Sequence, residues 1–281
     1  AAKKLFVSQP NLSATVREVE EELGITVFMR NNRGITVTAE GEEFLGYAKQ
    51  VVEQYHLLEN RYLNVESKKK FSVSMQHYSF AVKAFVQLAK EVGMDEYEFA
   101  VHETKTKEVI DNVKNLKSEI GVLYLSDFNE KVLRKLFKEC DIEFKELFTC
   151  NTYVYLWKKH PLAGKKVITL DDLQEYPCLT FEQGVNNSFY YAEEMMSTYE
   201  YKRVIKADDR ATMLNLMVGL NGFTLCSGII SEDLNGDDYA AIPLKESEKM
   251  HIGYIKHKGT KLSKLGEIYI DALKNYENKV L

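Results

Sequence analysis

The first 41 residues, AAKKLFVSQPNLSATVREVEEELGITVFMRNNRGITVTAEG, constrain the fold of this chain more than any other stretch. They read as a short helix, a tight turn, a second helix and a small β-wing. Ser8 is a good helix N-cap and Pro10 is tolerated in a first turn, so the second helix starts near Gln9. Leu12, Val16, Val19 and Leu23 fall on one helical stripe and are expected to face a core. Pro10, Ser13, Ala14 and Arg17 fall on the opposite face. Small polar groups and one guanidinium let a helix backbone approach a duplex and still offer hydrogen bonds to base edges. A helix presented in this way enters the major groove of DNA.

Three motifs in this stretch, AAKKLFVSQPNLS, ELGITVFMR and RGITVTAEG, occur in the order and spacing of the LysR-type transcriptional regulators, which the chain resembles. It departs from the family pattern at Val27, where Leu is usual, at Ile35, where Val is usual, and at Glu40, where Ala is usual. Further along, EIGVLYL, KKHPLAGKKVITLDDL and VGLNGFTLCS resemble later family motifs, with Asn221 between two glycines. The resemblance implies a winged helix-turn-helix, a long linker helix and a two-lobed α/β effector domain of the periplasmic-binding-protein type. Family members carry a further helix before the position of Ala1. This chain opens mid-helix without Met, so an N-terminal piece is expected to be missing.

A chain of 281 residues suits two or three domains rather than one core. Apolar content of 45% and charged content of 28% are those of a soluble globular protein. No apolar run is long enough to span a bilayer, no signal peptide is visible, and a membrane partner is not expected. Cys140, Cys150, Cys178 and Cys226 form no C-x-x-C pair, which argues against a zinc site or a disulfide framework and for the cytoplasm. The net charge of −5 is unusual for a nucleic-acid binder. Within residues 1–47, five Lys and Arg stand against seven Glu. Those acids lie in the far half of the second helix and at the start of the next. The near half and the wing hold only cations, and local charge sets phosphate contact.

Phe44, Ala48, Val51, Tyr55, Leu58, Tyr62 and Val65 follow steps of four and three, an a/d seam that predicts a paired coiled coil. From Phe71 onward short apolar strands alternate with helices, which implies an α/β fold with mainly parallel pairing. One unit, helix then small-residue turn then strand, recurs as VKNLKSEIGVLYLS and LMVGLNGFTLCS, so two lobes are expected to flank a cleft. The expected boundaries are 1–42 for the winged helix-turn-helix and 43–69 for the linker helix. Residues 70–150 with 255–281 are expected to make lobe I, and 151–254 lobe II.

Ser8, Gln9, Pro10, Asn11, Ser13 and Arg17 are the candidate DNA-contact residues of the helix. Gln and Asn suit adenine, and Arg suits guanine. Arg30 and Arg33 flank the turn Asn31-Asn32 and are placed to meet phosphate or the minor groove. For the effector, Gln76, His77 and Ser79 follow the first strand of lobe I, at the end where open α/β sheets bind ligands. Thr104, Lys105 and Thr106 follow the next strand, and Thr180, Phe181 and Asn187 take the analogous place in lobe II. Helix starts near Ser79, Thr106, Asn187 and Arg210 would then converge on one cleft and favour a small anion. The histidines offer no metal-ligand spacing, and no cofactor is implied. No nucleophile elbow, dinucleotide fingerprint or phosphate loop points to an enzyme. The expectation is therefore an effector-responsive regulator of double-stranded DNA, a homodimer or homotetramer, with RNA polymerase as a further partner. A thiol redox sensor and a two-lobed solute-binding module are the alternatives.

Overall fold

The computed structural model describes residues 8–31, 34–62, 68–186, 188–230 and 232–277. The chain divides into two compact units, Ala1–Ser67 and Lys68–Leu281.

In the first unit, helix α1 runs from Gln9 to Leu23. The Ser8 side chain accepts from the Asn11 amide, Pro10 sits in the first turn, and Gly24 closes the helix in the left-handed conformation. Strands β1 (Phe28–Asn31) and β2 (Gly34–Val37) pair antiparallel as the wing. Helix α2 (Ala39–Tyr62) follows. Leu12, Val16 and Val19 are half-buried while Pro10, Ala14 and Arg17 are exposed, as the apolar stripe requires. Leu23 departs from the stripe and is exposed. Glu20, read from the sequence as one of a cluster of surface acids, instead accepts the Val27 and Phe28 amides at 2.7 and 3.0 Å. It thereby ties α1 to the wing.

The second unit holds two lobes. Lobe I begins with β3 (Lys69–Met75), α3 (Ser79–Val92), β4 (Tyr97–Glu103), α4 (Thr106–Lys114), β5 (Ile120–Leu125), α5 (Glu130–Glu139) and β6 (Ile142–Cys150). Lobe II follows with β7 (Tyr153–Trp157), α6 (Leu170–Leu173), β8 (Cys178–Phe181), β9 (Val204–Ala207), α7 (Arg210–Leu220), β10 (Thr224–Cys226), α8 (Glu232–Asn235) and β11 (Tyr239–Pro243). The chain then returns through β12 (Met250–His257) and α9 (Lys264–Lys274).

The sheet of lobe I has the order β4-β3-β5-β12-β6. Its centre, β5, is buried at every position because helices cover both faces. On one face Phe71, Val73, Met75, Ile120 and Val122 pack with Phe80, Leu88, Tyr269 and Leu273. On the other, Leu123, Leu125 and Ile255 pack with Val109, Ile110, Leu133 and Phe137. Lobe II holds the sheet β10-β7-β11 and the parallel pair β8-β9, with Val154, Leu156, Ile168, Leu173 and Phe223 at its core.

Several expectations are corrected. Pairing is mixed rather than mainly parallel: β12 runs antiparallel to both β5 and β6, and β7 antiparallel to β10 and β11. Returning strands close each sheet, and local periodicity carries no sign of strand direction. Strand β12 belongs to the sheet of lobe I from Met250, ahead of the expected boundary at 254/255. Of the helix expected to start near Asn187, itself outside the described residues, residues 188–199 form no α-helix. Only a 3-10 turn, Phe189–Tyr191, is present, and turns follow it. Helices α5 and α8 and strands β9 and β11 lie outside the expected elements.

Gly41 of the TAEG run is the tightest point of the first unit. A Cβ there would lie 2.2 Å from the Val27 carbonyl oxygen. Gly41→Ala must push the wing strand away from the start of α2, an overpacking cost of about 1–3 kcal/mol. Thermal unfolding of the variant is expected to show the first unit melting several degrees lower, with the second unit unchanged.

Candidate functional site

On α1, the exposed face carries Gln9, Pro10, Asn11 and Arg17, and Ser13 is half-buried. Ser8 is occupied as the N-cap. The Asn11 carbonyl accepts from the Thr15 hydroxyl at 3.1 Å, and the residue is exposed. Arg30 sits in β1 opposite Ile35. Arg33 lies outside the described residues.

In the second unit, strand β3 delivers Gln76 and His77 to the seam between the lobes. Gln76 is buried. Its Nε2 donates to Thr106 Oγ1 at 2.6 Å, and its Oε1 accepts from the Tyr78 hydroxyl and the Tyr124 amide at 2.9 and 3.2 Å. Thr106, also buried, donates its hydroxyl to the Tyr191 carbonyl at 2.7 Å and its amide to Gln183 Oε1 at 3.1 Å. His77 directs its backbone amide and its Nδ1 to one oxygen of Glu193, at 2.9 and 2.8 Å. Its ring stacks on Phe181 with centroids 3.7 Å apart. Gln183 Nε2 donates to the other Glu193 oxygen at 2.9 Å. The Phe181 amide donates to Glu194 Oε1 at 2.8 Å.

The expected cations of the cleft are paired across it. Lys105 lies 3.4 Å from Asp208, and Arg210 bonds Glu103. Thr104 gives its hydroxyl to Glu108, and Thr180 is half-buried in β8, in register with Lys206. Asn187 lies outside the described residues. Four helix starts therefore do not converge on an open site. The start of α4 is taken by Gln183, α7 is capped by Asp209 accepting the Thr212 amide at 2.8 Å, and residues 188–199 form no α-helix. Only the start of α3 remains without a side-chain cap.

That open start faces a cavity of about 90 Å³. Of the nine residues expected from sequence, His77, Ser79 and Phe181 line it. Met213, Leu214 and Met217 of α7, Ile229 and Met250 make it largely apolar. Thr224, which reads in the sequence only as a strand residue, also lines it. Its hydroxyl is buried without a hydrogen-bond partner. Tyr155, its register partner across the β10–β7 pair, lines the cavity as well. A buried hydroxyl left unpaired costs free energy unless something in the cavity meets it.

Burial governs the titrating groups here. It pushes Cys150 and Cys226 up to about 12, and raises Cys178 and Cys140 as well. Thiols so placed are poor nucleophiles. Burial, and then the charge of Glu193, pushes Glu194 up to about 8. Among the described residues, no group of three His, Cys, Asp or Glu could hold a metal ion. No described helix is long and apolar enough to cross a membrane.

Residues 1–42 match the family described as "Bacterial regulatory helix-turn-helix protein, lysR family", and residues 94–277 match "LysR substrate binding domain". The chain belongs to the LysR family of transcriptional regulators. It is thus a DNA-binding regulator with an effector-binding domain, in a family of regulators rather than enzymes. Among its relatives, the HTH-type transcriptional regulator CysL of Bacillus subtilis (strain 168) is 26% identical over 293 residues, covering 100% of this chain and 93% of that one. Full-length OxyR from Pseudomonas aeruginosa has a similar fold, with TM-score 0.70 and 18% identity over 97% of this chain and 88% of that one. The effector-binding domain of QuiR, in complex with shikimate, is similar over 76% of this chain and 99% of that one, with TM-score 0.50 and 18% identity. These two likenesses are of fold. The helix-turn-helix has no place in a solute carrier, which removes that alternative.

Glu194 gives this LysR-type chain a distinctive pH response. A carboxyl raised to about 8 in the folded chain holds a proton that the unfolded chain releases. Its contribution to stability is full below the ordinary glutamate range and is lost as pH rises through about 8. The melting temperature of the second unit is expected to fall between pH 6 and pH 8.5. Glu194→Gln, permanently neutral, is expected to flatten that slope when calorimetric melts are compared across the range.

Proposed function

We propose that this regulator reads an interrupted palindrome as a homodimer or homotetramer and answers to a small organic acid held between its lobes. The exposed face of α1 and the wing make the DNA contacts, with Gln9, Asn11, Ser13 and Arg17 at base edges and Arg30 and Arg33 at the backbone. Val51, Tyr55 and Leu58 on α2 are apolar and exposed, the condition of a helix that pairs with a second copy. RNA polymerase is a further proposed partner, and the cytoplasm the proposed compartment.

One observation carries the effector reading: the cavity has the uncapped start of α3 on one wall and the unpartnered Thr224 hydroxyl on another. A carboxylate at Ser79 and Phe80 would meet free amides at the positive end of a helix dipole. An apolar body would then lie on Met213, Leu214 and Met217, and a second polar group would meet Thr224. Glu194 does not repel such a ligand when it is protonated. The QuiR domain is solved with shikimate, a carboxylate, and the same class is proposed here on the residues of this chain.

Gln9→Ala is expected to relax base preference by about 1–3 kcal/mol at one position of each half-site, and Arg33→Ala to weaken all sequences alike. Binding to operator and random duplexes across a salt series measures both. Equal binding of the unaltered chain to specific and random DNA at physiological salt would sink the palindrome reading.

A thermal-shift screen of carboxylates against matched amides and amines tests the effector. Carboxylates are expected to stabilise the chain, and Thr224→Val is expected to cut the affinity of the best one several-fold, as loss of one hydrogen bond does. Stabilisation by neutral or cationic compounds alone would overturn the anionic reading.

A further inference from the structure

The position at which the sequence expects an anion, the end of β3 just before α3, already holds a carboxyl group, and it comes from the chain itself. Glu193 lies on the segment Ser188–Met196, which follows β8 of lobe II but rests on lobe I. Tyr191 accepts from Thr106 at 2.7 Å, Ala192 and Glu194 accept from the Tyr124 hydroxyl at 3.1 and 3.3 Å, and Met195 is buried in the core of lobe I. The segment carries Glu193 to a place where a backbone amide, an imidazole nitrogen and a carboxamide meet. Those three donors, from His77 and Gln183, all go to its two oxygens. The side chain is 4% exposed, so this carboxyl is fully withdrawn from water. Donors grouped at a strand end before a helix start make an anion site. Two of the three come from lobe I and one from lobe II, so whatever fills the site also fastens the lobes.

Resting on the reading of the effector as an organic acid, we propose that Glu193 is a tethered stand-in for the effector's acidic group. It fills the anion site in the absence of ligand and holds the lobes together, and a carboxylate arriving at the neighbouring start of α3 competes with it for the His77 and Gln183 donors. The effector then has two consequences at once: it takes over the donors, and it frees the segment Ser188–Met196 from lobe I. A ligand that binds both states alike would shift nothing, whereas competition for one set of donors supplies the differential affinity that a switch needs.

The test uses the full chain. Glu193→Ala leaves the three donors facing a space of carboxylate size, so free acetate is expected to refill it. The variant should melt several degrees below the unaltered chain in chloride buffer. It should recover most of that loss in 50–100 mM acetate, about the concentration range for a weak single-carboxylate site. The unaltered chain, at matched ionic strength, should not respond. Glu193→Gln keeps the volume and serves if the alanine variant does not fold. Its amide competes poorly for the His77 donors, so the best carboxylate of the screen should bind it about ten-fold tighter than the unaltered chain, a change of about 1.4 kcal/mol. Acetate that restores Glu193→Ala no better than chloride, or a Glu193→Gln variant that binds the carboxylate no tighter, overturns the proposal. If acetate rescues the alanine variant but no effector carboxylate binds either form, the tethered carboxyl is upheld at its site and the anionic-effector reading is the one that fails.

Discussion

The two lobes are joined by strands that cross between them side by side, and this constraint shapes everything in the cleft. Strand β6 leaves lobe I at Cys150, and β12 returns to it at Met250, with these two residues directly opposite each other in the ladder. Just beyond, the Thr152 amide donates to the Ser247 hydroxyl at 2.8 Å, and the Thr152 hydroxyl donates to the Glu248 carbonyl at 2.9 Å. Two laced crossings leave hinge bending about this line as the easy motion of one lobe against the other. Met250 also lines the cavity, so the ligand would sit against the hinge itself, where a small displacement becomes a large change at the outer edge of each lobe.

What holds the lobes closed can be ranked by burial. Lys105–Asp208 lies toward solvent, Asp208 being 74% exposed, and pairs of that kind contribute about 0–1 kcal/mol, while Glu103–Arg210 is half-buried. The His77–Glu193–Gln183 cluster is withdrawn from water on every side. Removing one member of a buried set costs about 3–5 kcal/mol, because the others are left without partners. The hold on the cleft therefore lies in the buried cluster, and the outer pairs set how the charged rims meet. Phe181 stacked on the His77 ring excludes water from the cluster and so preserves that difference.

The N-terminal unit was legible because its signals are local. The Ser8 cap, Pro10 and the stripe Leu12-Val16-Val19 act within a turn or two of the helix, and the structure has α1 where they place it, with Leu23 alone leaving the stripe. The strands FSVSM and EIGVLYL and the closing helix were legible for the same reason. The cleft was legible only in part. The strand-end rule brought His77, Ser79 and Phe181 to the cavity, but the same rule placed Gln76 and Thr106 there, and they are spent on each other and on the opposite lobe. Tertiary bonds over 30 and 85 residues decide this, and no window of sequence contains them. Residues 187–199 have a composition that fits a helix. Yet Met195 is drawn into the core of lobe I, while Glu193 and Glu194 find donors that a helix would not reach, so packing overrides propensity. Thr224 sits in a run that reads only as a buried strand. Its importance comes from an unpaired hydroxyl, which the folded neighbourhood alone defines.

Adjacent acids, Glu193 and Glu194, are both buried in this seam, an arrangement that would be prohibitive if both were charged. Their surroundings separate them. Glu194 accepts from the Phe181 amide at 2.8 Å and from the backbone at Glu193 and Glu194, but burial and the neighbouring Glu193 outweigh these bonds and keep its proton on to about pH 8. Glu193 faces three donors, two from His77 and one from Gln183. Burial thus keeps one carboxyl neutral, while its neighbour has donors on both oxygens, so the two close acids meet unequal environments. The same division explains how a cleft with two glutamates on its wall can still accept an acid. Glu194 holds its proton, and the Glu193 carboxyl already engages the donors that an arriving acid would take over.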